Sequence, residues 1–260
     1  MNTNKIRLSP TSGLNLYRDC PRCFWLAYNK SVHRPRGIFP SLPGGMDLVI
    51  KDYFDQYRGT KNTKGQAHSA SSGQVHSASS GQASLFEETN LPPELEGKVE
   101  GKLMPDLKLM NEWRNWRTGL VYKDDKLNAE LFGALDDCMI TEDGKYYIPL
   151  DYKTRGSAPR EGDSERYYQT QLDSYGLLLE SNGYPVANFA YLVYYYPEEV
   201  NRGGIVSFNV KPVKIMIDHE RVRKLFEDAV NFLRNDPLPE HHSRSECEFC
   251  VWNERMLEFD

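Results

Sequence analysis

Apolar positions recur with two different periods along this chain, and the switch between periods marks out its elements. In residues 8 to 30, LSPTSGLNLYRDCPRCFWLAYNK, the spacing predicts a helix. Ser9 or Thr11 would cap it, Leu14, Tyr17, Phe24 and Leu26 would supply its apolar surface, and a break or kink is expected at Pro21. Residues 45 to 58, GMDLVIKDYFDQYR, predict a second helix with a stripe of Met46, Val49, Ile50 and Phe54. From residue 119 the period drops to two. GLVYKDD and LNAELFGALDDCMI predict a hairpin, and KYYIPLDYKT a further strand after the turn TEDG. Residues 163 to 181 return to a helical period, with Leu172, Tyr175, Leu178 and Leu179 on one side. NFAYLVYYY and GGIVSFNVKPVKIMI read as strands, and residues 218 to 236 as an amphipathic helix capped by Asp218. This order predicts one α/β (α+β) domain over residues 1–260, with a central mixed sheet flanked by helices.

One stretch has neither period. Residues 60–90 are of low complexity, and the unit GQ(A/V)HSASS occurs twice between Gly65 and Ala83. It is too short and too polar to bury a core, so a disordered insertion is expected. His68 and His76 follow from the repeat rather than from a metal-binding tract.

Composition narrows the picture without choosing a function. The chain has 260 residues, 39% of them hydrophobic, which suffices for a sizeable core. No run approaches eighteen apolar residues, so no membrane partner is expected. MNTNKIRLSP has no apolar signal core, which predicts a cytoplasmic location. The net charge of −5 means that any phosphate site must be a local basic patch. Arg18, Arg22, Lys30, Arg34 and Arg36 form one candidate patch, and Arg155, Arg160 and Arg166 another.

Five cysteines are present, four of them as Cys20-Pro-Arg-Cys23 and Cys247-Glu-Phe-Cys250. In a reducing compartment such pairs read as ligands of a metal or cluster rather than as disulfides. Cys138, inside an apolar strand, is expected to be a buried, inert thiol.

The candidate chemistry lies in PLDYK, residues 149 to 153. On a strand, Asp151 and Lys153 point to one face. If 128–140 and 145–154 pair as antiparallel strands, Asp136 of GALDD lies beside Asp151. Two adjacent carboxylates repel unless a cation lies between them, and hard oxygens suit Mg²⁺ or Mn²⁺. Gln171 and Tyr175 share a helix face and can donate toward a phosphate or hold the lysine.

With these residues in this order, the sequence resembles the PD-(D/E)XK nuclease superfamily. More narrowly it resembles the RecB-type nuclease domain and the CRISPR-adaptation exonucleases. The resemblance rests on LSPTSGLNLYRDCPRCFWL, GALDD, PLDYK, QLDSY and the terminal CEFC. It implies a restriction-endonuclease-like fold and a Mg²⁺- or Mn²⁺-dependent deoxyribonuclease of DNA repair, recombination or phage-type DNA processing, with exonuclease and endonuclease action both open. Asp136, Asp151 and the main-chain carbonyl of Tyr152 would be metal ligands, Lys153 the catalytic lysine, and Gln171 and Tyr175 would shape the site. Many relatives carry a further ligand, a histidine, on the helix before the sheet; here PGGMDLVIKDYF has none, and Asp47 is the nearest substitute. The resemblance also implies that Cys20, Cys23, Cys247 and Cys250 staple the two ends of the chain around a 4Fe-4S cluster. The two-plus-two split departs from the relatives' one-plus-three and equally suits Zn²⁺. DNA without sequence specificity is the implied partner. The competing readings are a catalytically inactive DNA-binding module on the same fold and a zinc-stapled structural protein.

Overall fold

The computed structural model describes residues 5–35, 37, 41–59, 90–240 and 247–258; the expected insertion, apart from Asn90, and Arg36 lie outside them. The chain opens with a short strand, β1 (Ile6–Leu8), and a π-helical turn over Pro10–Asn15. Helix α1 (Leu16–Asp19) stops at Cys20, whose extended backbone (φ −156°, ψ 101°) leads into α2 (Pro21–Lys30). The single helix expected at 8–30 is therefore three pieces behind an unexpected strand. The break falls at Pro21 because proline has no N–H to continue a helix and is preset to begin one. Helix α3 (Ser41–Asp55) buries Ile50 and Phe54, but Val49 of the expected stripe faces outward.

A short strand β2 (Lys102–Leu103) and helix α4 (Leu107–Arg114) follow, neither expected; the Asp106 side chain caps α4 by accepting from the Leu109 amide. Next come β3 (Leu120–Asp124), β4 (Ala129–Gly133), β5 (Asp137–Ile140) and β6 (Tyr147–Thr154). The strand expected over 128–140 is thus two strands with a corner between them. Helix α5 (Asp163–Ser181) has the expected bounds. Strands β7 (Phe189–Val200) and β8 (Val206–Met216) lead into α6 (His219–Asn235), which Asp218 caps through the Glu220 and Arg221 amides. Helix α7 (Glu248–Leu257) carries the last cysteines.

The sheet is mixed and curled. Three strands lie in the order β1-β4-β3, and five in the order β2-β5-β6-β7-β8. In the larger sheet β6 and β7 are parallel and the other pairs antiparallel. A parallel neighbour needs a crossover, which α5 provides. The residues between β4 and β5 carry the chain from one sheet to the other. This corner packs against α5: a Cβ on Gly133 would lie 2.7 Å from Leu178 Cδ1, so a larger residue in GALDD would have to push that buried side chain aside.

Strand β7 shows where the core sits. Ala190, Leu192 and Tyr194 join one apolar cluster with α5 and α6, while Phe189, Tyr191, Val193 and Tyr195 join another with Ile50 and Phe54 of α3. A strand buried on both faces reads as a continuous apolar run, as NFAYLVYYY does. On β6, Ile148, Leu150 and Tyr152 fill the α3 side. Strand alternation then assigns Asp151 and Lys153 to the α5 side.

Candidate active site and metal centre

The β5–β6 register pairs Asp137 with Leu150, so one step further along Asp136 faces Asp151. The two carboxyl groups lie close enough to shift each other's ionisation. Two such neighbours do not both ionise cheaply, and the surroundings decide which is the stronger acid. Asp151 is fully buried: burial pushes its carboxyl up to about 8, with Lys153 pulling down and Asp136 pushing up. For Asp136 burial also acts upward, but Lys51, the Asp151 carboxyl and Lys153 together hold it below the usual carboxylate range. Asp151 is the proton carrier of the metal-free pair.

Lys153 pairs with Asp151 Oδ2, and its ammonium lies 4.8 Å from the centre of the Tyr168 ring. Burial works against its charge, but the two carboxylates outweigh it and raise the lysine. From α5, Gln171 Nε2 donates to Asp151 Oδ1 at 3.0 Å, and Tyr175 OH donates to the same oxygen at 3.3 Å. Gln171 Nε2 also lies 2.6 Å from the Tyr175 hydroxyl. Both side chains are therefore spent on Asp151, not on the lysine as the sequence reading allowed.

Asp47 does not join the pair. Lys51 stands between, its Nζ 2.8 Å from Asp47 Oδ2 and 2.9 Å from Asp136 Oδ1. Among the described residues, the His, Cys, Asp and Glu side chains that gather at least three ligand atoms within 4.8 Å are the four cysteines. The acid site thus consists of two carboxylates flanked by two ammonium groups. It suits a divalent cation on one count above all: Asp151 Oδ2 is a buried oxygen that accepts no well-formed hydrogen bond.

The opposite face of the same strands holds a different set. Asp137 is fully buried and pairs with Arg58, with Arg114 NH2 at 2.9 Å and with the Tyr152 hydroxyl. Arg114 also grips Asp55 through two bonds of 2.7 and 3.0 Å and donates to the Asp136 carbonyl at 2.9 Å. Lys51, Tyr168, Arg58 and Arg114 were all missed from sequence. Lys51 had a signal, its position four residues after Asp47 on a helix; the two arginines had none.

At the far end, the four cysteines converge and join the two ends of the described chain. Cys20 Sγ lies 3.6 Å from Cys250 Sγ, and Cys23 Sγ lies 3.7 Å from those of Cys247 and Cys250. Arg34 NH2 donates to Cys247 Sγ at 3.2 Å while its guanidinium stacks 4.9 Å from the Phe249 ring. For Cys247, burial acts upward, but the Cys250 amide and the neighbouring sulfurs lower its thiol to about 7. Cys23 is raised, chiefly by burial. A closed set of four sulfurs, one already inclined to the thiolate, fits a thiophilic metal. Cys138 is remote from it; its thiol is buried, raised by burial, and donates to the Met139 carbonyl at 3.3 Å.

Some of the expected basic residues have structural work. Arg22 donates to the Pro239 carbonyl, and Arg155 pairs with Asp163 at 2.8 Å. Arg18 and Arg166 remain exposed.

A family model described as the PD-(D/E)XK nuclease superfamily matches residues 7–255. The chain belongs to that superfamily. The matched span takes in both cysteine pairs, the two carboxylates, Lys153 and the α5 pair, so the expected family and fold both hold. PD-(D/E)XK proteins are generally nucleases that use divalent metals, which fits the paired carboxylates. No match was found among curated proteins.

Proposed function

We propose that this PD-(D/E)XK protein is a Mg²⁺- or Mn²⁺-dependent deoxyribonuclease of RecB-like type. It would cleave DNA phosphodiester bonds without sequence preference, as an exonuclease serving repair, recombination or phage-type DNA processing in a reducing cytoplasm. The observation that carries the reading is the buried Asp151–Lys153 pair on β6, with Asp136 at the adjoining end of β5 and Gln171 and Tyr175 bonded to Asp151. Asp136, Asp151 and the Tyr152 carbonyl would hold the metal, which supplies positive charge to the phosphate in the transition state. Lys153 orients the attacking water and offsets charge developing on the phosphate oxygens. Gln171 and Tyr175 keep Asp151 Oδ1 occupied, so a metal would take Oδ2 and displace the Lys153 ammonium from it. Lys51 holds Asp136 ionised.

The same reading gives the cysteines one Zn²⁺. Thiolates arranged tetrahedrally at about 2.3 Å from one ion lie about 3.8 Å apart. The observed 3.6 and 3.7 Å support that arrangement. A 4Fe-4S cluster attaches each thiolate to a different iron and so needs a wider set. A colourless protein with one zinc per chain is expected after anaerobic purification; a brown protein rich in iron and sulfide would restore the cluster.

The decisive assay uses end-labelled and circular DNA, single- and double-stranded, with Mg²⁺, Mn²⁺ or no divalent metal. Cleavage of linear DNA that needs added metal and vanishes in Asp151→Asn is expected. DNA binding without any cleavage would favour the inactive module, and neither binding nor cleavage would favour the structural protein.

A further inference from the structure

The N-terminal half of α5 leads away from the acid site toward the cysteines. Tyr168, against Lys153, marks the near end. One residue earlier, Tyr167 is 53% exposed, with the Arg166 guanidinium 5.4 Å from its ring centre. Across from them stand the π-helical turn, with Thr11 and Ser12, and Arg18 of α1. Together they line a cavity of about 680 Å³ that extends to Arg34, the residue bonded to Cys247.

The charges in this cavity are unbalanced although the whole chain is acidic. Asp19 lines it but is paired with Arg34 at 2.9 Å. Arg18 is fixed by a 2.5 Å bond from NH1 to Thr170 Oγ1, and neither it nor Arg166 has a carboxylate partner among the described residues. Two uncompensated guanidiniums, hydroxyls and an exposed aromatic face meet in one concave site. Cations that follow a phosphate backbone, with an aromatic ring for the bases, are the means by which proteins hold single-stranded nucleic acid. In a duplex the bases are stacked inward and cannot reach the ring.

We propose that this cavity is a single-strand subsite, in which a base outside the scissile step stacks on Tyr167 while flanking phosphates meet Arg18 and Arg166. It deepens the nuclease reading, and rests on it only in taking the bound strand to be the substrate. The subsite would select for unpaired ends and feed them past Tyr168 to Lys153.

Binding is measured by fluorescence anisotropy with a labelled oligothymidylate of roughly twelve nucleotides and a blunt duplex of equal length, with no divalent metal added. Tighter binding of the single strand is expected. Tyr167→Ala should weaken it about tenfold and Tyr167→Phe should preserve it, since the ring is what stacks. Arg18→Gln with Arg166→Gln should lower the slope of log K against log salt by about 1.4. Tyr167 and Arg166 are exposed, so Tyr167→Ala and Arg166→Gln alone should melt near the parent chain; Arg18→Gln also loses the bond to Thr170, so Arg166→Gln alone, with half the change in slope, is the control for folding. Single-strand binding indifferent to Tyr167, or equal affinity for the duplex, overturns the subsite. Metal-dependent cleavage of the same oligonucleotide is scored separately. Loss of binding in Tyr167→Ala without cleavage by the parent chain sustains the subsite and sinks the nuclease reading. Cleavage with Tyr167-independent binding does the reverse.

Discussion

Asp137 sits between two guanidiniums and a phenol on the α3 side of the sheet, whereas Asp136, one residue earlier, faces a second carboxyl group with Lys153 beside it and Lys51 reaching in from α3. The bend that leads into β5 separates the two aspartates, and their partners then give them different work. The first charge is neutralised in full: Arg58, Arg114 and Tyr152 all converge on it. Around Asp136 and Asp151 the arrangement is incomplete, with two neighbouring acids that disfavour each other's charge and a buried oxygen, Asp151 Oδ2, that meets the Lys153 ammonium but no regular hydrogen-bond donor. Compensated burial holds strands together, and uncompensated burial leaves room for a ligand. The Asp137 set also supports the site from behind. Arg114 holds the Asp136 carbonyl and Tyr152 donates to Asp137, so both strand segments next to the acids are anchored from the opposite face.

The comparison breaks most visibly in activity. Asp151→Asn and Asp136→Asn should each abolish metal-dependent cleavage in protein that still folds; each relieves a carboxylate pair but also takes a partner from Lys153 or Lys51, so the net change in melting temperature should be smaller than at Asp137. Lys153→Ala should lower the cleavage rate by about two to four decades. Full activity in purified, folded Lys153→Ala would remove the lysine from the reaction.

Asp137→Asn should behave in the opposite way. It leaves two buried arginines without their anion, a change that costs about 3–5 kcal/mol in comparable buried pairs. Denaturant unfolding should show the loss. If Asp137→Asn were as stable as the parent and Asp136→Asn were not, the assignment of the two faces would be inverted.

A pH series sharpens the contrast further. An unfolded carboxyl titrates near 4, and folded, metal-free Asp151 near 8. Its contribution to stability is fully present below about pH 4 and lost as pH rises through about 8. A metal ion must displace that proton, so Mn²⁺ affinity should fall about tenfold per unit below pH 8. Calorimetry at several pH values checks this, and pH-independent affinity would place the metal elsewhere.

The smallest effect concerns Lys51. Lys51→Gln removes a cation that competes for Asp136, so Mn²⁺ binding should tighten by roughly three- to tenfold. Weaker binding would show instead that Lys51 positions Asp136 for the metal.

Much of this was legible along the chain. Local periodicity placed α5, α6, β7 and the β3–β4 hairpin, since each buries a face set by its own residues. The order GALDD, PLDYK and QLDSY carried the superfamily, and strand alternation put Asp151 beside Lys153. The cysteine pairs announced a shared centre, because two thiolates alone leave a metal half-coordinated. What sequence could not set was everything decided by distant neighbours. The corner after Gly133, which splits one expected strand between two sheets, shows only in the pairing of β4 with β1 and β3 and of β5 with β2 and β6. The use of Gln171 and Tyr175 on Asp151, the displacement of Asp47 by Lys51, and the pairing of Arg58 and Arg114 with Asp137 join side chains remote along the chain. Electrostatic pairing depends on distance in space and on shared burial, and neither is encoded in the local pattern of any one segment.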